Sequence, residues 1–184
     1  MACSSPVHRT RDGAGAISRG LLALVLYTLV LGNQWATERI WQWVSSHPEQ
    51  SLVITLARVV NFPSWQVFPD ERWGSPWRLW FILNLSTLVF LMTTAVLRLS
   101  IGAQRPPAGR IRAFLGGLIA TVLAALFSQL TFNAATGLLV NGMFFVWADD
   151  LGYAAMAGAL FGVIVGFLDA VGGKRVSAAG AGGG

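Results

Sequence analysis

Three long stretches without a charged residue constrain the fold of this chain more than any other sequence feature. They cover residues 79–97, 113–148 and 151–168. A transmembrane helix needs about 20 predominantly apolar residues to cross a hydrocarbon core that is about 30 Å thick. Charged residues make up only 11% of the whole chain, whereas an ordinary soluble domain contains about 25%. The sequence therefore predicts an integral membrane protein.

A fourth apolar stretch lies near the N-terminus, between Arg19 and Glu38. The length of its apolar centre, residues 21–31, also suits a secretory signal peptide, with basic residues such as Arg9 before it. The sequence around Ala36 offers only a poor small-residue cleavage site. We therefore interpret the stretch as an uncleaved first crossing, with a cleaved signal peptide as the alternative.

The stretch at residues 113–148 is too long for a single crossing. As one helix it would extend roughly 54 Å, well beyond the hydrocarbon core. We place the crossing at about 113–135, because Thr136-Gly137 offers turn residues beyond it. The remainder, residues 136–148, is predicted to be re-entrant, interfacial or a helical extension.

These segments predict an all-α integral membrane protein, a four-transmembrane-helix bundle with a Trp-rich interfacial outer loop. One membrane domain at 19–172 would lie between two flexible cytoplasmic tails, 1–18 and 173–184, because both tails are rich in glycine and alanine. The predicted crossings are about 19–36, 79–98, 113–135 and 151–171, with the outer loop at 37–78.

The distribution of basic residues predicts the orientation of the bundle. The N-terminal segment, the loop between crossings two and three and the C-terminal segment carry Arg or Lys, whereas the loop after crossing three carries Asp149 and Asp150. Cytoplasmic segments are enriched in Lys and Arg, so both termini are predicted to be cytoplasmic. Among the 13 basic residues only Lys174 is lysine, which suggests a GC-rich genome. We expect the plasma (cytoplasmic) membrane of a bacterium with such a genome.

The outer loop is rich in tryptophan, which favours the membrane interface because its ring is apolar and its N–H is polar. Thr37 is the predicted N-cap of a short helix, and residues 51–60 are predicted to form an interfacial helix with Arg58 snorkelling towards water. The simpler interpretation of the tryptophans is an aromatic belt, and the alternative is a platform for a lipid headgroup or a partner. The platform would comprise Trp41, Trp43, Trp65, Trp73, Trp77 and Trp147.

Small residues recur every four positions on crossings three and four, in the pattern of a glycine zipper. This spacing places them on one helix face, where a second backbone can approach closely. We expect the two faces to pack on each other within one chain; alternatively, the face of crossing four binds a partner helix or another copy. The residues are Gly116, Ala120, Ala124 and Ser128 on crossing three, and Ala154, Gly158, Gly162, Gly166 and Ala170 on crossing four.

The remaining polar residues of the crossings are mostly amides and hydroxyls. Asp169 lies near the cytoplasmic end of its crossing, where it can pair with Arg98, Arg110 or Arg112. Interhelical hydrogen bonding is the ordinary role of amides in membrane helices. The alternative is an outward-opening pocket for an uncharged or zwitterionic ligand, formed by Asn33, Gln34, Asn84, Gln129 and Asn133.

The sequence lacks the cysteine and histidine patterns that metal and haem sites require. Cys3 is the single cysteine, and both histidines, His8 and His47, lie outside the long apolar stretches. Neither a Cys/His metal cluster nor a bis-His haem is therefore expected. No motif indicates a catalytic residue, a cofactor or nucleic-acid binding, so we lean against an enzyme.

Three functions follow from these observations. The first is a non-catalytic accessory or assembly subunit of a larger membrane complex, with membrane lipids and other membrane subunits or further copies of itself as partners. The second is a small homo-oligomeric channel or carrier for an uncharged or zwitterionic solute. The third is a lipid-handling enzyme that uses Asp149, Asp150 or Glu71.

Overall fold

The computed structural model describes residues 19–46, 51–71, 75–104, 110–141 and 148–172, and the predicted tails lie outside these ranges. All regular structure in this part of the chain is helical, which confirms the all-α class. The helices are α1 (Arg19–Leu31), α2 (Gln34–Ser45), α3 (Ser51–Val60), α4 (Pro76–Gln104), α5 (Arg110–Thr136) and α6 (Ala148–Gly172), with a π-helix, Gly137–Asn141, directly after α5.

Three helices, α4, α5 and α6, are long and apolar enough to cross a membrane. They contain the second, third and fourth predicted crossings. A fourth span is counted only if α1 and α2 are taken together as one bent span. The sequence-based prediction of a membrane protein is therefore confirmed at the level of three to four apolar helices.

The structure differs from the prediction at the first crossing, about 19–36, because α1 and α2 meet at an angle of 65°. α1 ends at Leu31, and Asn33 caps α2: its Oδ1 accepts a hydrogen bond from the Ala36 backbone N–H at 2.9 Å. Its Nδ2 donates to the Val30 carbonyl of α1 at 2.6 Å. Asparagine is a preferred N-cap because it satisfies backbone groups at a helix start, so it stabilises the change of direction here.

The predicted segment 136–148, which follows crossing three, begins as an extension of α5. The π-helix Gly137–Asn141 continues α5, and the Arg78 guanidinium of α4 donates to the Leu139 carbonyl at 2.9 Å. Residues 142–147 lie outside the described residues, so of the predicted segment 136–148 only the first part can be assigned.

α6 packs along α5 through its glycines. A Cβ atom added to Gly162 would lie 2.5 Å from the Thr121 hydroxyl oxygen and 2.7 Å from the Leu118 Cα. A Cβ atom on Gly158 would lie 2.8 Å from the Val122 Cα. Only a residue without a side chain permits two backbones to approach this closely.

Two residues of the predicted small-residue face of α5 contact α4. The Ser128 hydroxyl donates to the Ser86 carbonyl of α4 at 2.7 Å, and the nearest atom to a Cβ on Gly116 belongs to Ile101 of α4. At these two positions α5 faces α4, whereas the neighbouring Gly117 contacts Gly166 of α6. The spacing alone did not distinguish these faces because α5 carries small residues towards both of its neighbours.

Three helices are joined at the end of the bundle where α6 terminates. Arg98 of α4 forms an ion pair with Asp169 of α6, and the Gly20 N–H at the start of α1 donates to the Asp169 carboxylate at 3.1 Å. The side chains of Arg98 and Asp169 are only 16% and 8% exposed. One carboxylate thus holds α1, α4 and α6 together at what we call the closed end.

Candidate functional site

A cavity of about 460 Å³ lies at the opposite end of the bundle, where α6 begins. It is bordered by α2 and α3, by α4, α5 and α6, and by residues 61–71, which we call the connecting segment because they follow α3 and lead towards α4. We call it the polar cavity. Its polar lining includes Thr37, Arg58, Asn61, Ser64, Gln129 and Asp150.

Asn61 is the polar residue of the cavity whose hydrogen bonding is least satisfied. It is 7% exposed, and neither its amide oxygen nor its amide nitrogen has a hydrogen-bond partner. A buried polar group that is left unpaired costs about 1–3 kcal/mol. Proteins retain such costs mainly at functional sites, so Asn61 marks this cavity as a candidate binding site.

Thr37 contributes a second buried polar atom without a partner. Thr37 lines the same cavity, and its hydroxyl oxygen neither accepts nor donates a hydrogen bond. The sequence predicted Thr37 as an N-cap, but Asn33 caps α2, and Thr37 lies one turn inside the helix. The cavity is therefore lined by two residues, Asn61 and Thr37, whose buried polar atoms have no hydrogen-bond partner.

The connecting segment holds Asn61 against the helices through its backbone. The Trp65 backbone N–H donates to the Gly32 carbonyl at 2.8 Å, and the Trp65 indole N–H donates to the Thr28 carbonyl at 2.9 Å. On the other side the Thr87 hydroxyl of α4 donates to the Ser64 carbonyl at 2.7 Å. Contacts to both α1 and α4 fix the segment between them.

Asn84 and Gln34, both predicted pocket residues, position this segment and do not line the cavity. Asn84 Oδ1 accepts from the Gln66 backbone N–H at 3.2 Å, and Asn84 Nδ2 donates to the Gln66 carbonyl at 3.0 Å. The Trp80 indole donates to the same carbonyl at 2.9 Å. Gln34 Oε1 accepts from the Phe68 N–H at 3.3 Å. These amides satisfy backbone groups that would otherwise lack partners.

The structure brings only part of the predicted amide cluster to the cavity. Gln129 lines it, and its Nε2 donates to Asn133 Oδ1 at 3.1 Å. Asn133 Nδ2 is buried and has no partner. Asn33 serves as the α2 cap. Of the five amides predicted to form a pocket, Gln129 is the one that lines this cavity.

Two opposite charges also line the cavity. The Arg58 guanidinium carbon lies 4.9 Å from the centre of the Tyr153 ring, a separation at which a cation is attracted to the face of the ring. Asp150 belongs to the first turn of α6. Within the described ranges neither group takes part in an ion pair. Both positions agree with the sequence-based expectations, since Arg58 is exposed at the end of α3 and Asp150 lies at a helix start.

A layer of aromatic rings lies between the polar cavity and the closed end. Phe62 lines the cavity and packs edge-to-face on Phe90, with ring centres 5.5 Å apart. Phe161 contacts Phe90 at 6.4 Å and Tyr27 at 4.6 Å. Phe90 and Phe161 are almost fully buried. The cavity therefore has an apolar floor.

The tryptophans of the predicted platform occupy different environments. Trp41 lines the cavity, Trp65 is anchored by its indole N–H, and Trp43 and Trp77 are exposed. Trp73 and Trp147 lie outside the described residues. An interfacial role stays a prediction for the exposed ones, whereas Trp65 has a structural role inside the bundle.

Sequence reasoning missed Asn61, which is the central residue of the cavity. The available signal was its position, since Asn61 ends the apolar helix α3 two residues before Pro63. An amide there interrupts an apolar segment without continuing the helix. It is buried beside a cavity that four other helices line, which no local pattern reveals.

Among the described residues no group of three or more His, Cys, Asp or Glu side chains is arranged to hold a metal ion. Comparisons with protein-family models, with curated proteins and with solved structures found no match to this chain. The function is therefore argued from the polar cavity itself.

Proposed function

We propose that this chain is an integral membrane carrier that binds a small uncharged or zwitterionic solute in the polar cavity. The observation that carries the proposal is Asn61, whose amide is buried against the cavity with neither polar atom paired. An amide donates and accepts hydrogen bonds, and so suits a ligand that does both. The cavity volume of about 460 Å³ falls within the usual range for small-molecule sites, about 300–1,000 Å³.

The two ends of the bundle favour a carrier over a channel. A channel needs a continuous passage, whereas a carrier needs a binding site that is closed on one side at a time. The aromatic floor around Phe90 separates the cavity from the closed end, where Arg98 and Asp169 join three helices. This arrangement supports one accessible and one closed side.

The placement of the carrier in the cell belongs to the same proposal. The basic residues of the sequence place both termini in the cytoplasm of a bacterium and the cavity towards the outside. Asp150 of the cavity belongs to the acidic loop end, and Arg98 belongs to the arginine-rich end. The carrier would then take its solute from outside the plasma membrane.

An accessory or assembly subunit is the second candidate. The exposed Leu52 and Leu56 of α3 leave an apolar face for lipid or another subunit. The expected docking face on α6 has less room for a partner, because Gly158 and Gly162 lie against α5. Native mass spectrometry of the protein extracted from its own membrane distinguishes the two: a foreign subunit at constant stoichiometry favours the accessory function.

A lipid-handling enzyme has the least support. Of the three acids considered for it, Asp150 lines the cavity, whereas Asp149 and Glu71 do not. A general acid/base pair requires two groups within reach of one substrate. We therefore retain Asp150 as a binding residue.

Uptake into proteoliposomes tests the carrier. The purified chain is reconstituted, and entry of radiolabelled urea and L-alanine is measured as examples of an uncharged and a zwitterionic solute. We expect uptake of at least one above protein-free liposomes and at least a tenfold loss in Asn61→Leu, since one lost hydrogen bond of about 1.4 kcal/mol is a factor of ten.

The matched control is Gln42→Leu, which removes an exposed amide from the outer face of α2. This variant should keep the wild-type rate. Uptake no faster than in protein-free liposomes, or full uptake by Asn61→Leu, would contradict the carrier.

A further inference from the structure

The polar cavity holds one positive and one negative side chain that are not paired with each other. Arg58 comes from α3 and Asp150 from α6, so they approach the cavity from different helices. The other ionisable pair described here, Arg98 with Asp169, is joined directly. Two unpaired opposite charges at one cavity are the arrangement that a ligand with two opposite charges satisfies.

We infer that the occupant of the cavity is a small zwitterion, with its anionic group at Arg58 and its ammonium group at Asp150; this rests on the proposed function and names its solute class. The anionic group meets a guanidinium, which offers several N–H donors in one plane. The ammonium group meets a carboxylate, and Asn61 and Thr37 line the same cavity with buried polar atoms that lack a hydrogen-bond partner.

The alternatives to a zwitterion each leave a charge unsatisfied. A simple anion would be repelled by Asp150, and a simple cation would be repelled by Arg58. A neutral solute would gain no ion pair from either charged group.

Arg58 is held ready for this role by Tyr153. The guanidinium lies over the aromatic ring at 4.9 Å, which restricts the long side chain before any ligand binds. Tyr153 and Asp150 lie on the same helix, three residues apart, so the stacked arginine is kept close to the side of α6 that also presents the carboxylate. Side chains three positions apart lie on the same helix face.

Two sources carry the required chemistry: a free zwitterion such as an amino acid or a betaine, and the headgroup of phosphatidylethanolamine. The protein is placed in nanodiscs of phosphatidylglycerol alone, and the binding of L-alanine and glycine betaine is measured by titration calorimetry. Propionate, ethylamine and lactamide are the matched anionic, cationic and neutral probes. A second set of nanodiscs contains phosphatidylethanolamine, and the melting temperature of the protein is compared between the two lipids.

We expect a zwitterion to bind at least tenfold more tightly than each of the three other probes, and Arg58→Gln and Asp150→Asn each to weaken it at least tenfold. Asp150→Asn should shift the preference towards propionate, and Arg58→Gln towards ethylamine. The controls Asp149→Asn and Arg39→Gln make the same charge changes outside the cavity lining, and they should bind as the wild type does.

The outcomes separate this inference from the carrier. Lactamide that binds as tightly as alanine, and depends on Asn61 but not on Arg58, would overturn the zwitterion and leave the carrier standing. A higher melting temperature in phosphatidylethanolamine that is lost in both charge variants would support a zwitterionic headgroup and contradict a solute carrier. No binding of any probe and no lipid preference would overturn both.

Discussion

The acidic residues at the two ends of α6 differ in whether they are paired. At the closed end, Asp169 is paired with Arg98 and also accepts the Gly20 N–H. At the cavity end, Asp150 has no ion pair within the described residues, and the nearby Asn61 has two unpaired polar atoms. A satisfied buried group supports the fold, whereas an unsatisfied one costs stability and is retained where it binds something. In the proposed carrier, stability and binding would therefore be separated along one helix.

Between these ends, α6 owes its position to close packing. Gly158 and Gly162 approach the backbone of α5 at distances that no side chain allows. Close van der Waals contact is the main attraction between helices in a bilayer, since lipid tails are as apolar as the helices. The packing of α6 on α5 therefore lies between the closed end and the cavity end of α6.

The largest expected effect comes from breaking the closed end. Asp169→Leu would leave Arg98 charged, largely buried and unpaired, which costs about 3–5 kcal/mol of the free energy of unfolding. The change is measured by denaturant unfolding in detergent micelles. The double variant Arg98→Leu/Asp169→Leu should recover much of the loss, because it leaves no isolated charge.

The same variants also test whether the closed end affects solute binding at the cavity. Solute binding at the cavity should keep its affinity in the double variant, since the aromatic floor separates the two regions. A double variant as unstable as Asp169→Leu would show that the pair itself is not what stabilises this end.

A smaller effect is expected from the glycine interface. Gly162→Ala places a Cβ atom 2.5 Å from the Thr121 hydroxyl and 2.7 Å from the Leu118 Cα, so the helices must separate, at a cost of about 1–3 kcal/mol. Gly152→Ala is the matched control because its Cβ would meet nothing within 4 Å. It should stabilise the protein by about 0.5–1 kcal/mol, the usual advantage of alanine in a helix.

Thermal melting of the two variants in the same detergent checks this prediction. Opposite shifts are expected: a lower melting temperature for Gly162→Ala and an equal or higher one for Gly152→Ala. Equal shifts would contradict close packing between α5 and α6.

The smallest effect on stability is expected at the cavity, where a substitution should leave the free energy of unfolding unchanged or raise it. Asn61→Leu removes two buried polar atoms that lack partners, so the free energy of unfolding should be unchanged or about 1 kcal/mol higher. The same variant is expected to lose solute uptake. Denaturant unfolding without solute measures the first effect, and a loss of more than about 2 kcal/mol would show that Asn61 supports the fold.

Much of the helical layout could be predicted from the sequence because charges and apolar runs are local features. The charge-free stretches located α4, α5 and α6, and residues 51–60 were predicted as the helix that the structure contains as α3. The possible pairing of Asp169 with Arg98 followed from their positions at neighbouring helix ends. For the candidate site, the sequence predicted a pocket of amides, of which Gln129 lines the cavity, and the ligand class stays a prediction.

The remaining features depend on residues that are far apart in the chain. The choice of α5 face depends on which neighbour each small residue meets. The connecting segment reaches the bundle because Trp65 bonds to Thr28 and Gln66 bonds to Asn84. The local hydrophobic pattern determined which segments form helices long and apolar enough to cross a membrane. Tertiary hydrogen bonds and close packing alone decided that Asn61, Arg58 and Asp150 share one cavity, because burial and pairing depend on what surrounds a residue.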